Sequence, residues 1–322
     1  MALGNPDRPV GGLAVRPPAG VELRPVGRDD FEVAARLLLE LHGGAPADTA
    51  VERLRPGWDR FIASVDSVSF VAVADGEPVG IVAFRFRRRL NWATYEGWLS
   101  DWYVVPPQRG KGIGRALLDA ALAEWRLRGG HQVMIELPYD ATAARDLAAR
   151  VGFGEQGRWF VAEPITPRGI SPRTGVEVRP IAAGDFQAVT RLLAELGRPA
   201  PSDERLPALR RSFDDHLRRA ETASLLATLE GDAVGFCSLE FRERLHRIEP
   251  EAWIPDLVVT EAARGRRIGA ALLDAAFAEA VARGAAAVTL ESGFQRAAAH
   301  RLYAAAGMGD VGSFFTLPRP DR

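Results

Sequence analysis

Residues 102–118 read WYVVPPQRGKGIGRALL, and residues 257–273 read LVVTEAARGRRIGAALL. In each copy an apolar strand runs into a short loop, and the loop runs straight into an amphipathic helix. The first turn of a helix carries N–H groups without acceptors and the positive end of the helix dipole. Gly110, Gly112 and Gly114 let an anion approach the first loop's backbone closely and permit positive φ. Strand, glycine loop and helix together make a phosphate-binding design. It is not a Walker loop, because Lys111 is followed by Gly112 rather than Ser or Thr. Nor is it a Rossmann fingerprint, because the loop follows the fourth strand and not the first.

The two copies lie 155 residues apart, and their surroundings repeat at that offset without a gap. Glu22-Leu-Arg-Pro25 matches Glu177-Val-Arg-Pro180, Asp30-Phe31 matches Asp185-Phe186, and Trp98 matches Trp253. Asp101 matches Asp256, Leu117-Leu118-Asp119 matches Leu272-Leu273-Asp274, and Gly152 matches Gly307. A period this long is a duplicated domain. The stretch EPITPRGISPRTG, from Glu163 to Gly175, is polar, rich in Pro and Gly, and without periodicity. The expected division is a flexible segment at 1–20, domains at 21–165 and 176–322, and a linker at 166–175.

Composition fits two ordinary globular domains: 322 residues, 47% hydrophobic, 26% charged, net charge −1. Without a basic excess, nucleic acid is not the expected partner. No apolar run reaches the roughly 18 residues of a membrane helix, and residues 1–20 lack the apolar core of a secretory signal. A cytoplasmic protein is expected. The single cysteine, Cys237, excludes an internal disulfide and a cysteine-based metal cluster. No His/Asp/Glu spacing suggests a metal.

The segment Arg109-Gly-Lys-Gly112-Ile-Gly114 resembles motif A of the GNAT superfamily of N-acetyltransferases, Gln/Arg-x-x-Gly-x-Gly/Ala. The resemblance extends over both halves through the order of elements, the Arg-Pro strand start and the glycine-containing hairpin. It includes the closing helix, which ends in Gly152-Phe153 or Gly307-Met308. It implies two tandem α/β GNAT domains, each a mixed, mostly antiparallel sheet flanked by helices and split by a coenzyme A groove. It implies acetyl-coenzyme A as co-substrate, attacked directly by the primary amine of a small molecule in a ternary complex. Motif A and the strand before it would hold that co-substrate. These are Val104, Val105, Arg109, Gly110, Lys111, Gly112, Ile113 and Gly114 in the first half. In the second they are Val258, Val259, Arg264, Gly265, Arg266, Arg267, Ile268 and Gly269.

Each half departs from the family pattern. Arg267 takes the middle glycine position, where a right-handed helix start would suit any side chain. The family's closing helix often reads Asn-x-x-Ala-x-x-Leu-Tyr, and its tyrosine often protonates the leaving thiolate. The second half has Arg296-Ala-Ala-Ala299-His-Arg-Leu302-Tyr303, and the first has Ala148 where the tyrosine would be. The first half therefore reads as the better cofactor binder and the second as the better catalyst.

An alkylammonium has a pKa near 10, so a base must take its proton. Asp101 and Asp256 stand just before the loops, and Glu96 and Glu251 lie further back. The catalytic candidates are Tyr303, Asp256, Glu251 and Asp101. Cys237 has Val82 as its counterpart, which marks a core position. Acids around the second helices, Asp48, Glu52 and Asp59, then Asp203, Glu204, Asp214 and Asp215, suit either cationic amines or a plain helix surface. Arg85, Arg87, Arg88 and Arg89 read as a solvated strand edge, with an acidic substrate group as the lesser option. The competing function is an inactive tandem that binds acyl-coenzyme A or an amine ligand. A monomer with an internal pseudo-dimer and a homodimer both remain open.

Overall fold

The structure is a computed structural model and describes residues 16–43, 48–90, 92 and 94–319. Residues 1–15 of the expected N-terminal segment, and the Asp48 side chain, lie outside the described set. The first half comprises β1 (Val21–Pro25), α1 (Phe31–Leu41), α2 (Asp48–Arg53), α3 (Arg55–Ala63), β2 (Ser67–Ala74), β3 (Glu77–Arg88), β4 (Tyr95–Val104), α4 (Ile113–Arg128), β5 (Gln132–Pro138), α5 (Thr142–Val151) and β6 (Gly154–Ala162). The second repeats this as β7 (Val176–Pro180), α6 (Phe186–Glu195), α7 (Leu206–Arg218), β8 (Thr222–Leu229), β9 (Asp232–Arg242), β10 (Glu251–Val259), α8 (Ile268–Ala282), β11 (Ala287–Gly293), α9 (Ala297–Ala305) and β12 (Gly309–Pro318).

Local chemistry explains the shared start of each half. The Asp30 carboxylate accepts hydrogen bonds from Arg24 and from the Gly27 N–H, both at 2.8 Å, and so ties the end of β1 to the start of α1. Asp185 does the same with Arg179 at 2.8 Å and the Ala182 N–H at 2.7 Å. Asp75-Gly76 and Glu230-Gly231 turn the hairpins with left-handed φ values of 52°, 81°, 53° and 92°. Left-handed backbone at both turn residues matches the twist of the flanking strands.

The twelve strands form one sheet in the order β1-β2-β3-β4-β5-β12-β6-β11-β10-β9-β8-β7. The last strand of each half is exchanged: β12 pairs with β5, and β6 pairs with β11. Phe315 of β12 accordingly belongs to the first half's core, and Phe160 of β6 to the second's. Burying one phenylalanine contributes about 1.5–3 kcal/mol, so each half lends its neighbour real stability.

The arginine run is not a solvated edge. β3 has strand partners on both sides, and Arg87 and Arg89 are only 4% and 7% exposed. Arg87 donates to Glu96 at 2.8 Å and its guanidinium lies 3.9 Å from the ring centre of Trp253. In the matching contact Arg242 donates to Glu251 at 2.6 Å and lies 3.9 Å from Trp98. Trp98 Nε1 donates to Glu136 at 2.7 Å, and Trp253 Nε1 to Glu291 at 2.8 Å. This buried network joins the halves around a pseudo-twofold axis. A charge can stay buried there because each has a partner.

Candidate active site

β10 and β11 run parallel but pair only from Glu251–Trp253 to Ala287–Thr289, then diverge. β10 carries a bulge between Trp253 and Asp256. The splay leaves one backbone edge of β10 without a strand partner and opens a V. A groove of about 720 Å³ runs from it, lined by Leu257, Val258, Val259, the Arg264–Gly269 loop, and Leu302 and Tyr303 of α9. Val258, Val259, Arg264, Gly265, Arg267, Ile268 and Gly269 are thus brought together as the sequence suggested.

The loop's backbone shows why glycine suits it. Gly265 has φ 77° and Arg267 has φ 62°, against 77° and 85° at Gly110 and Gly112. Arg267 is not in the right-handed conformation expected from its place at a helix start. It adopts the left-handed one, which costs an L-residue roughly 1–2 kcal/mol. The loop keeps the same shape in both halves, so its first-turn N–H groups are presented alike.

Tyr303 is only 6% exposed, lines this groove, and packs edge-on against Phe160 at 5.3 Å between ring centres. Burial pushes its phenol up to about 12, with Arg296 and Ser292 pulling the other way. It is therefore a protonated donor at neutral pH. Asp256 lies at the bulge with its side chain buried, held by Arg198 Nε at 2.9 Å and Ser238 Oγ at 3.2 Å. Glu251 is elsewhere: Arg242 at 2.6 Å and Arg244 at 3.0 Å close it into the central network. Cys237 is fully buried, and burial raises its thiol pKa, as a core position requires.

A second cavity of about 260 Å³ adjoins the groove at Arg296. Its lining includes Arg89, Arg198, Pro255, Glu291 and Ser292. Arg198, Glu291 and Ser292 were not among the sequence candidates. For Arg198 and Ser292 the signal was a mismatch at the repeat offset: Arg198, Ser238, Ser292 and Arg296 stand where the first half has Gly43, Ala83, Leu137 and Ala141, whereas Glu291 matches Glu136. Burial and the neighbouring Glu136 raise Glu291 to about 8.

The first half is furnished differently. β4 and β5 also diverge, after Trp98 and Met134. At the position of Leu257 the first half carries the larger Trp102, whose indole Nε1 donates to the Gly114 carbonyl at 3.0 Å. A Cβ built on Gly112 meets Pro18 at 3.4 Å, so the described N-terminal residues lie against the loop. Arg109 donates to the Val104 carbonyl at 2.9 Å and Lys111 to Gln108 at 2.7 Å. Asp101 is met by His246 Nδ1 at 3.1 Å and His42 Nε2 at 3.8 Å. Burial opposes ionisation of Asp101, but the two histidines outweigh it and hold its carboxyl well below the usual range. The imidazole rings stack at 3.3 Å and 24°. An ion bound to both would have to lie in both ring planes, which near-parallel rings this close do not allow. The cluster reads as a proton network.

The Acetyltransferase (GNAT) family model matches residues 38–153 and again 187–308. The chain belongs to the GNAT acetyltransferase family. It is an N-acetyltransferase with acetyl-coenzyme A as co-substrate, and the groove built by motif A in the second half fits that molecule. The chain is 30% identical over 285 residues to a mycothiol acetyltransferase of Clavibacter michiganensis, covering 86% of this chain and 88% of the relative. It is 32% identical over 141 residues to an aminoglycoside N(6')-acetyltransferase of Stenotrophomonas maltophilia, covering 42% of this chain and 90% of that one. Among solved structures, a GCN5-related N-acetyltransferase from Sphaerobacter thermophilus shares the fold, with TM-score 0.61, 24% identity, and 95% and 98% of the two chains covered. A tandem GNAT protein from the clavulanic acid biosynthesis pathway also shares it, with TM-score 0.59, 18% identity, and 94% and 100% covered.

Proposed function

We propose that the second half is the catalytic centre of this acetyltransferase and that the first half is its structural partner. The observation that carries this is the open groove lined by both the motif A loop and Tyr303. Bound acetyl-coenzyme A supplies the thioester. The N–H groups at the start of α8 hold its pyrophosphate, and the free edge of β10 polarises the acyl carbonyl. Asp256 accepts the proton of the acceptor's ammonium, and the neutral amine attacks the carbonyl directly. The Tyr303 hydroxyl gives a proton to the departing sulfur, and the proton that the nitrogen sheds on becoming an amide returns Tyr303 to its neutral form. Glu251 is not the base in this reading, because two arginines already engage it. Asp101 serves the first half's histidine cluster.

The acceptor is a primary amine on a small molecule. We place the enzyme in the cytoplasm as a monomer whose halves form a pseudo-dimer. The exchanged β6 and β12 support the latter. No helix of the described residues is long and apolar enough to cross a membrane. Tyr303→Phe tests the reading. Thiol release with an amine panel should fall at least about 100-fold in kcat, while coenzyme A affinity holds. Full turnover would remove Tyr303 as the acid.

A further inference from the structure

We propose that the acceptor amine carries an acidic group, a carboxylate or phosphonate, and that the 260 Å³ cavity beside the groove reads it. This rests on the reading that the second half is catalytic. The cavity is smaller than the roughly 300–1,000 Å³ of drug-sized ligand sites, so the acceptor is small. Three arginines line it: Arg89, Arg198 and Arg296. They come from separate segments and from both halves.

Their charges are not evenly matched by acids. Arg89 shares the single carboxylate of Glu96 with Arg87. Arg198 is paired with Asp256, and Arg296 donates to the Leu196 carbonyl at 2.8 Å, a neutral acceptor. The carboxyl in the cavity wall is Glu291, which burial and then its neighbour Glu136 raise to about 8. Gln156 and Gln295 add neutral amides. A diamine or polyamine would bring more positive charge into this site, whereas an oxyanion would relieve it. The planar guanidinium fork also fits carboxylate and phosphonate with two parallel bonds.

Three of the acids around the second helices are already neutralised by arginines. Glu52 of α2 pairs with Arg55 of α3, and Asp214 pairs with Arg210 and Asp215 with Arg218 along the surface of α7. Arg198 and Arg296 have Gly43 and Ala141 as counterparts, so this feature belongs to one half alone.

The test uses 3-aminopropanoate, 3-aminopropylphosphonate, 3-aminopropanamide and 1,3-diaminopropane. Each is titrated calorimetrically into coenzyme A-loaded protein and assayed for thiol release. The better of the two acids should bind about 30-fold tighter than the amide, and the diamine weakest. Arg296→Met should reduce that preference about 10-fold. Arg198→Lys, which keeps a charge beside Asp256 but loses the fork, should weaken it too. An amide or diamine that binds as well as both acids overturns the inference, as does a preference that survives both variants. Acid-selective binding without thiol release would support this inference and defeat the catalytic reading. Thiol release led by the diamine would do the reverse.

Discussion

Asp101 and Asp256 occupy the same place in two copies of one fold, at a bulge before the phosphate loop, and their company differs completely. Asp256 faces Arg198 and Ser238 beside an open groove containing Tyr303. Asp101 faces two stacked histidines, one of them contributed by the other half, and is followed by Trp102, which bonds the Gly114 carbonyl. Where the second half has Leu257, Tyr303 and Arg296, the first has Trp102, Ala148 and Ala141. Duplication supplied two scaffolds, and side chains lining one cleft decide which of them can hold a thioester. The first half keeps the unstrained loop glycine, Gly112, and the second keeps the room. On the proposed reading, the loop glycines and the open groove thus point to different halves.

The sharpest way to break this contrast is to change both aspartates. Asp256→Asn should lower kcat about 100- to 10,000-fold, whereas Asp101→Asn should leave it within a few-fold, measured by steady-state thiol release. Equal losses would put catalysis in both halves.

Next come the buried arginines, where the halves should behave alike. Arg87→Met and Arg242→Met each strip a partner from a buried glutamate, and each should cost about 3 kcal/mol in denaturant unfolding. A large inequality would contradict the pseudo-symmetric interface.

The Glu136–Glu291 pair makes the same interface sensitive to pH. A carboxyl raised from 4.5 to about 8 is protonated in the folded protein where it would be ionised unfolded. Its stabilising effect is fully present below about 4.5 and is lost as pH rises through about 8. The thermal midpoint should therefore decline from pH 6 to 9, and Glu291→Gln should flatten that decline. Glu96, held near 2 by Arg89 and Arg87 against the effect of burial, acts oppositely and matters only in acid.

The smallest effect concerns the loop. Arg267→Gly removes left-handed strain and should raise stability by about 1 kcal/mol, provided the glycine's greater unfolded freedom does not offset it.

Much of this was legible beforehand, and the failures have physical causes. The repeat, the turn at Asp75-Gly76, the phosphate loop and the core role of Cys237 follow from local sequence and one offset. The exchange of β6 and β12 does not, because both strands alternate alike and either pairing would bury the same faces. Arg87 and Arg89 read as exposed because their counter-charge, Glu96, and their aromatic cover, Trp253, arrive only on folding. The left-handed Arg267 was foreshadowed by Gly112 at its matching position. Arg198 and Ser292 emerge only when polar residues are compared with apolar counterparts across the repeat.

Native mass spectrometry of the protein with acetyl-coenzyme A tests the central claim most directly. One bound molecule is predicted, lost in Arg267→Glu and retained in Gly112→Glu, with both variants checked for folding by thermal unfolding. Two bound molecules, or one that is lost in Gly112→Glu instead, would contradict the assignment of the site to the second half.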